Sequence, residues 1–362
     1  MKDKIRGFDG IRGLAVISVV LTHMHFWKYL ELKGFIDSSI IPLVSGWTGV
    51  QAFFILSGFL ITTLLIKEYE RTGNISIKNF IIRRTLRIFP LYILFLLVAS
   101  TINYFGENVT TWESLGYAYL YIYNFIPYNL YTSFLGHTWS LAVEEHFYLV
   151  WPFLFLLFFL KKRLLLISIL IVSILGSLVL NYYLRKMGYS SVYFIERWSF
   201  IAGYNISFGC LAAIFLQSGQ KCSDIRRIFK KSLWLIIGVG LYLNTLYLNT
   251  GSGFIDTIVS EYIRSFGILL VVVWLFLNQE SFVIKLLEFA PLRYVGVISY
   301  GIYIYQGLFL ATGPERFADQ DWPLDQSIGV ILLLITAPLS YHYYEKPILK
   351  LKHRFSYSYI KV

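Results

Sequence analysis

The chain of 362 residues is 57% hydrophobic, 19% aromatic and only 15% charged. A soluble domain carries about 25% charged residues and cannot bury this much apolar surface, so a soluble globular protein is excluded. The net charge of +11 needs no nucleic-acid partner, because membrane topology explains an excess of Lys and Arg. We therefore expect a membrane protein with membrane lipid, and no nucleic acid, among its partners.

Ten apolar segments are long enough to cross a membrane as helices. Each approaches the roughly 20 residues that span a hydrocarbon core of about 30 Å. They cover residues 11–30, 46–67, 82–104, 139–160, 164–184, 198–217, 232–249, 259–277, 294–312 and 326–344. We predict an all-α, polytopic membrane protein with about ten transmembrane helices around an intramembrane cavity.

The charges between these segments predict the orientation. With both termini in the cytoplasm, most of the 32 Lys and Arg residues lie on the inside, as the positive-inside rule requires. We expect a multi-pass protein of the inner (plasma) membrane. The first apolar run lacks a small-residue cleavage site, so we expect it to be retained as a span.

Neither repeats nor low-complexity segments divide the sequence, so we expect one domain over residues 1–362 without a fused soluble domain. The two cysteines, Cys210 and Cys222, lack the spacing of a zinc site or redox motif. We expect neither a disulfide nor a metal site.

Arg12 and His23 are ionisable residues on the first apolar segment. Eleven helical residues return to within roughly 20° of the starting direction and advance about 16 Å, so both side chains share one face. An ionisable group at mid-bilayer costs on the order of 3 kcal/mol unless it faces a partner or water. The pair indicates a site inside the membrane. The alternatives are an Arg12 that snorkels to the interface and a His23 hydrogen-bonded within the bundle; His25 points to the opposite side.

The second apolar segment contains GVQAFFILSGFLIT, residues 49–62. Gly49, Ser57 and Gly58 permit close approach of neighbouring helices, and we favour this packing role for the glycines. Gln51 is a polar residue just inside the predicted outer edge, and it is a candidate to face the same cavity as His23.

Arg83, Arg84 and Arg87, here called the arginine motif, stand at the cytoplasmic start of the third segment. Arg84 and Arg87 share a helix face. Guanidinium groups bind phosphates through bidentate hydrogen bonds, so the motif is a candidate phosphate site. The alternative is ordinary positive-inside charge, and Arg83, to one side of the face, is the member that fits it best.

Residues 105–138 form a long outer connection that is rich in aromatic residues and has no Lys or Arg. Two interpretations stay open: an interfacial aromatic belt, and an aromatic platform over an outward cavity, on which sugar faces stack.

The fourth segment begins with GHTWSLAVEEHFYLVWP, residues 136–152. His137 and Glu144 share one helix face, and Glu144 is expected about five residues inside the membrane from its outer side. A carboxylate there needs a cationic or donor partner, and a structural salt bridge is the alternative to a functional role. Glu145 and His146 are expected to point elsewhere, partly toward the interface.

Six segments occur in the order FDGIRGLAVISVVLTH, GVQAFFILSGFLIT, RRTLRIFPLY, HTWSLAVEEHFYLVWP, SYGIYIYQ and YYEKPI. Together they resemble acyltransferase family 3, a family of integral-membrane acyltransferases that modify glycans and other hydroxyl acceptors. One such segment is weak evidence, but six in order, from Phe8 to Ile348, are specific. The resemblance implies a ten-helix core that uses cytoplasmic acyl-CoA to acylate an acceptor reached from the other face.

The resemblance also implies roles for single residues. The motifs of the family fall on Arg12 with His23, on Arg84 with Arg87, and on Trp139 with Ser140 and Glu144. Two positions depart from the family pattern. Gln306 stands where many relatives have histidine, so no second catalytic imidazole is expected there. Gln51 stands where relatives often have an acidic residue, so no charge pair is expected at that point.

In the implied mechanism, the arginine motif holds the CoA phosphates at the cytoplasmic mouth of a channel. His23 meets the thioester, either as general base toward an acceptor hydroxyl, which we favour, or as the nucleophile that forms an acyl-imidazole. Glu144 orients His23, stabilises its imidazolium or binds acceptor hydroxyls. Arg12 lies where the pantetheine arm or a phosphate passes.

The expected activity is transfer of an acyl group, above all acetyl from acetyl-CoA, to a hydroxyl of a cell-surface or lipid-linked glycan. O-antigen, exopolysaccharide and capsule are the first candidates for the acceptor, with peptidoglycan, a lipid-linked oligosaccharide intermediate and a small secondary metabolite as alternatives. Candidate acceptor-binding residues are His137, Trp139, Ser140 and Gln51. A secondary transporter is the main alternative, although the repeats and broken spans typical of transporters are not found. A structural scaffold leaves Arg12, His23 and Glu144 unexplained.

Overall fold

The computed structural model describes residues 5–105, 110–159, 161–217, 222–244, 252–310 and 326–355. Within these ranges the chain is helical and contains no β-strand. The predicted all-α class is therefore confirmed.

The first half of the chain forms α1 (Phe8–His23), α2 (Phe26–Leu32), α3 (Ile41–Val44), α4 (Gly46–Thr72), α5 (Ile77–Phe105), α6 (Trp112–Tyr119) and α7 (Thr138–Phe158). The second half forms α8 (Arg163–Lys186), α9 (Ser199–Ala202), α10 (Tyr204–Gln217), α11 (Cys222–Phe229), α12 (Ser232–Leu243), α13 (Ser260–Leu277), α14 (Phe282–Leu287), α15 (Ala290–Val297), α16 (Ser299–Leu310), α17 (Gln326–Ser340) and α18 (Lys346–Lys350). Short π-helices cover Phe254–Val259 and Tyr341–Glu345, and a 3₁₀ helix covers Leu351–Phe355.

Six helices in the described ranges are long and apolar enough to cross a membrane: Ser38–Thr72, Ile77–Phe105, Thr138–Phe158, Arg163–Lys186, Ser199–Gln217 and Phe254–Leu277. The bent pair α1 and α2 is a seventh if it is one span. The predicted spans 232–249, 294–312 and 326–344 coincide with the shorter helices α12, α16 and α17. The polytopic class is confirmed, whereas the number ten stays a prediction.

The first span is not the continuous helix expected over residues 11–30. α1 ends at His23, and α2 continues from Phe26 in a direction 63° away. Between them, the amide of His25 bonds to the Thr22 carbonyl at 3.0 Å, and His25 has a left-handed φ of 53°. A non-glycine residue in that region interrupts the helical hydrogen-bond ladder. His23 is therefore the last residue of α1, and His25 is an exposed residue of the bend.

The contacts within the chain divide it into two compact units. One consists of Met1–Ile66, Ile167–Tyr183 and Gly203–Ser299, and the other of Lys67–Leu166, Leu184–Ala202 and Tyr300–Val362. The prediction of one domain stays a prediction, because this division does not decide whether either unit folds alone.

The core of the first unit lies between α1, α4, α10 and α13. Phe59 of α4 is fully buried, with Phe8 and Phe276 edge-on at ring-centroid distances of 5.8 and 5.0 Å. A Cβ on Gly49 would meet the Ala15 carbonyl of α1, and a Cβ on Gly58 would meet α10. The predicted packing role of these two glycines is confirmed.

In the second unit, the aromatic connection packs against α5. The buried Tyr92 hydroxyl donates to the Ala118 carbonyl at 2.8 Å, and the buried Tyr123 hydroxyl donates to the Thr132 carbonyl at 3.0 Å. Other rings of the connection, among them Trp112, are exposed. The connection therefore contributes to the core as well as to the surface, and its residues 106–109 lie outside the described part of the chain.

α7 begins beside the middle of α5. His137, just before α7, lies edge-on to Phe95 at a ring-centroid distance of 5.1 Å, whereas α5 continues to Phe105. α7 therefore starts beside residue 95 of α5 rather than at the end of α5, and the expected depth of Glu144 in the membrane stays a prediction. Residues of α7 meet the N-terminal half of α5, which contains the arginine motif.

Candidate functional site

The predicted site residues are distributed over both units. Arg12, His23 and Gln51 belong to the first, whereas the arginine motif, His137, Trp139, Ser140 and Glu144 belong to the second. The predicted pairing of His23 with Glu144 stays a prediction.

Arg12 forms an ion pair within α1. Its Nη1 lies 3.4 Å from Asp9 Oδ1, and the two side chains are 19% and 13% exposed. Asp9 lies in the first turn of the helix, where a carboxylate is stabilised by the helix dipole. The guanidinium is therefore held by a partner on its own helix, which sequence reasoning did not include.

His23 is positioned by a fixed helix end. The neighbouring Thr22 hydroxyl donates to the Ser18 carbonyl at 2.9 Å and accepts from the Gly46 amide at 2.7 Å, which joins the last turn of α1 to the start of α4. The His23 side chain is half-buried. The carbonyl end of a helix favours a positive charge, so an imidazolium formed at His23 is stabilised by its position.

Gln51 lies in a buried polar cluster of the first unit. Its Nε2 donates to the Tyr204 hydroxyl at 3.2 Å, and Arg264 Nε donates to its Oε1 at 3.3 Å. Arg264 is only 4% exposed. Gln51 is uncharged and forms no ion pair, but its amide oxygen accepts a hydrogen bond from the cationic Arg264. An arginine inside an apolar segment was the sequence signal for this contact.

Arg83 ties three segments of the second unit together. Its Nη2 lies 3.1 Å from the buried carboxylate of Glu68, and its Nη1 donates to the Phe355 carbonyl at 2.8 Å. Glu68 also accepts from the Ser76 amide at 2.9 Å. These contacts give Arg83 a structural role at the C-terminal end of the described chain.

Lys352, near the C-terminal end of the described chain, lies close to Arg84 and Arg87 of the arginine motif. The Arg84 guanidinium lies 5.6 Å from the ring centroids of both Phe80 and Tyr148. Burial, together with repulsion from the arginine motif, lowers the pKa of Lys352 to about 6. Lys352 was not predicted, because nothing in the sequence shows that the C-terminal segment returns to α5.

The start of α7 packs against α16. Ser140 Oγ lies 2.6 Å from the Tyr303 hydroxyl, which donates to the His137 carbonyl at 3.1 Å. A Cβ on Gly307 would clash with the His137 ring. Two of the six family-like segments thus meet here, and their buried contacts give His137 and Ser140 a framework role.

Trp139 is buried beside a cation. The Arg197 guanidinium lies 5.7 Å from the Trp139 ring centroid, 5.2 Å from that of Tyr131 and 3.9 Å from that of Phe194. An arginine over aromatic faces gains electrostatic stabilisation from their quadrupoles. Arg197 was not among the predicted site residues.

Tyrosines of the last two family-like segments contact the part of α5 around Pro90. The Tyr300 hydroxyl donates to the Ile88 carbonyl at 2.6 Å, and the Tyr344 hydroxyl donates to the Pro90 carbonyl at 3.2 Å. These contacts fix the part of α5 that follows the arginine motif.

The two carboxylates of α7 differ from the prediction. Glu144 is half-buried and accepts from the Tyr148 hydroxyl at 3.1 Å. Glu145 is 8% exposed and lines a cavity with Arg84, so the expectation that it points toward the interface is wrong. Residue 145 lies on the face of α7 that meets the N-terminal half of α5. His146 is tied to the Ser199 hydroxyl by a 2.6 Å contact of its Nδ1.

Metal and thiol chemistry find little support in the described ranges. No group of three or more His, Cys, Asp or Glu side chains there is arranged for a metal ion. Cys210 is buried with its Sγ 3.7 Å from the Gly58 carbonyl. The side chain of Cys222 lies outside the described residues.

The chain is similar to bacterial O-acetyltransferases. It is 28% identical to the peptidoglycan O-acetyltransferase OatA of Listeria monocytogenes, over 96% of this chain and 56% of that protein. It is 28% identical to the putative peptidoglycan O-acetyltransferase YrhL of Bacillus subtilis, over 95% and 55%. With the O-acetyltransferase OatA of Staphylococcus aureus, the identity is 29% over 95% and 57%. The chain thus spans little more than half the length of these relatives.

No solved structure matches the chain. The sequence profile of the Acyltransferase domain family, by contrast, matches residues 5–344. That range includes the arginine–histidine pair of α1, the arginine motif of α5, the start of α7 and the tyrosine contacts of α16. A match over nearly the whole chain, joined to this arrangement of the motifs, shows that the chain belongs to acyltransferase family 3, the integral-membrane acyltransferases.

Proposed function

We propose that the protein is a membrane O-acetyltransferase that moves an acetyl group from cytoplasmic acetyl-CoA to a hydroxyl of a cell-surface glycan. Membership of an acyltransferase family supports the reaction class and counts against the transporter and scaffold alternatives. Peptidoglycan is the first candidate acceptor, because two of the similar proteins are named for it.

The cluster formed by Arg84, Arg87 and Lys352 is the observation that supports acyl-CoA as the acyl donor. Burial and the three arginines of the motif together lower the pKa of Lys352 to about 6, which places these cationic groups close to one another. Guanidinium groups bind phosphates with two hydrogen bonds each, so a group of neighbouring arginines suits a phosphate-bearing ligand. An acyl-CoA is a phosphate-bearing acyl donor of this kind.

His23 carries the proton transfer. Its neutral imidazole accepts the proton of the acceptor hydroxyl while the oxygen attacks the thioester carbonyl carbon. The carbon–sulfur bond then breaks, and the leaving thiolate takes the proton from the imidazolium. The C-terminal end of α1 stabilises that imidazolium. The alternative route, an acyl-imidazole on His23, uses the same residue as nucleophile.

Arg12 and Glu144 have supporting roles in this proposal. Arg12, paired with Asp9, keeps a cation on the face of α1 that also has His23. Glu144 offers an acceptor oxygen to hydroxyl groups and is oriented by Tyr148. We assign His137, Trp139 and Ser140 to the framework rather than to direct contact with acceptor, because their contacts are internal to the protein.

The positive-inside bias supports an orientation with both termini in the cytoplasm. The N-terminal half of α5, with its arginine motif, then faces the cytoplasmic side, where acyl-CoA is present. The hydroxyl acceptor approaches from the opposite side.

The proposal is tested by acetyl transfer with the purified full chain. The protein is reconstituted in vesicles with labelled acetyl-CoA and soluble peptidoglycan fragments. We expect a labelled, alkali-labile ester on the glycan and a donor affinity that falls with added salt, as phosphate contacts require. The proposal would be contradicted if the protein transferred acetyl to none of a panel of glycans and also did not bind acetyl-CoA.

A further inference from the structure

A cavity of about 260 Å³ lies between the N-terminal half of α5, the residues after α6, and α7. It approaches the lower end of the range of small-molecule sites, roughly 300–1,000 Å³. Most of its wall is apolar or aromatic, and its polar lining groups include Arg84, Tyr121 and Glu145. Small-molecule sites have this combination of apolar walls and a few convergent polar groups.

Two of these polar groups are buried without a hydrogen-bond partner in the described structure. They are Glu145 Oε1 and the Tyr121 hydroxyl, on side chains that are 8% and 9% exposed. An unsatisfied buried polar group costs about 1–3 kcal/mol, more if it is charged. Such groups require an explanation, and a bound ligand with one hydrogen-bond donor and one acceptor supplies it.

The backbone of Tyr121 is conformationally strained. Its φ is +55°, in the left-handed region that side chains other than glycine rarely adopt. Its ring stacks on Tyr92 at a centroid distance of 4.4 Å and lies 5.2 Å from Phe89. The strained backbone and the stacked ring fix the hydroxyl, and strain of this kind collects at ligand sites.

The other polar lining groups have contacts of their own. His146 Nδ1 lies 2.6 Å from the Ser199 hydroxyl. Arg84 lies against the faces of Phe80 and Tyr148. The ligand must therefore offer neutral hydrogen-bonding groups to Glu145 and Tyr121 and apolar atoms to the rest of the wall. It also lies beside Arg84, a cation that suits a phosphate.

We propose that this cavity binds the pantetheine arm of the acyl-CoA, with Glu145 accepting from an amide N–H and the Tyr121 hydroxyl donating to an amide carbonyl. The inference rests on the proposed function. A lipid acyl chain fits the apolar wall but leaves both buried polar groups unsatisfied, and an ionised phosphate has no hydrogen to donate to Glu145 Oε1. The pantetheine arm combines apolar carbons with neutral amides, and it follows the phosphates, which the adjacent arginine motif holds.

The test separates contacts to the arm from contacts to the phosphates. Binding of acetyl-CoA and of S-acetylpantetheine, which lacks every phosphate, is measured by calorimetry on the full chain in detergent. Glu145→Leu and Tyr121→Phe are each expected to weaken binding of both ligands about fivefold to twentyfold. Arg87→Ala, which changes a residue outside the cavity lining, is expected to weaken acetyl-CoA far more than S-acetylpantetheine. Glu113→Gln and the exposed Tyr104→Phe serve as matched controls.

The melting temperature of the unliganded variants distinguishes a ligand site from a structural role. Removal of an unsatisfied buried polar group is expected to leave it unchanged or to raise it, whereas loss of a structural contact lowers it. If the wild type binds acetyl-CoA and both variants bind it with an affinity within twofold of the wild type, the inference is overturned and the donor proposal stands. A lipid chain in the cavity would give this result. A wild-type protein that binds neither ligand would contradict the proposed function itself.

Discussion

At the scale of single residues, Lys352 has the most direct consequence for pH dependence. Its pKa in the folded protein is about 6 instead of 10.5, because of burial and the repulsion of the arginine motif. Between these values the unfolded chain binds a proton that the folded chain does not bind. The free energy of unfolding therefore rises with pH from about 6 to 10 and is flat below that window.

Lys352→Met is expected to raise the melting temperature at pH 7 by a few degrees and to flatten its dependence on pH between 6 and 10. The substitution removes the cost of holding a lysine neutral while keeping an apolar stem. Thermal unfolding in detergent across this range measures the effect. The exposed neighbour Lys350→Met is the control; equal pH profiles for the two variants would argue against a perturbed Lys352.

The sequence located the motif segments that the family match covers, but it did not predict the contacts of their side chains. The sequence identifies Glu144 as an intramembrane carboxylate, but it contains no signal that the adjacent Glu145 is the more buried one. That difference depends on which face of α7 packs against α5, and this packing is visible only in the folded chain. Lys352 was missed because it approaches the arginine motif only after folding. Asp9, three residues before Arg12 on the same helix, and Arg264, inside an apolar segment, had sequence signals that were not used.

At the scale of elements, the hydropathy pattern located most helices within a few residues, since an apolar run of membrane length has few alternatives. It could not locate the break after His23. The segment has neither proline nor glycine there, and the turn depends on the left-handed His25. The close approach of α1 and α4, by contrast, was predictable from Gly49.

Gly49→Ala is expected to lower the free energy of unfolding by about 1–3 kcal/mol, because its Cβ would lie 2.5 Å from the Ala15 carbonyl and must push α1 away from α4. Gly176→Ala in α8 is the matched control. No atom lies within 4 Å of its added Cβ, so helix propensity makes it neutral or slightly stabilising. Denaturation of both variants in detergent compares them, and equal stability would show that the close approach is not required.

At the scale of the whole molecule, composition was sufficient for the class, and six ordered segments were sufficient for the family. Neither predicts the division into two units, because the segments of each unit are far apart along the chain. The orientation in the membrane follows from charge alone and is a separate, testable claim.

Cysteine accessibility tests that orientation. In a Cys222→Ala background, in which Cys210 is buried, Lys33→Cys is expected to react with an impermeant maleimide added to intact cells. Lys350→Cys is expected to react only after the membrane is opened, because the predicted orientation places the C-terminal segment in the cytoplasm. The opposite pattern would invert the topology and remove the arginine motif from the side on which acyl-CoA is found.

The most direct test of the account is the acetyl-transfer rate of His23→Ala compared with His25→Ala, both in the reconstituted full chain. The two histidines are close in sequence, but the first ends α1 and the second is exposed in the bend. We predict that His23→Ala loses about 10²–10⁴-fold in rate, as removal of a general base does, with acetyl-CoA binding and expression retained, while His25→Ala transfers normally. Transfer at the wild-type rate by His23→Ala would contradict the account.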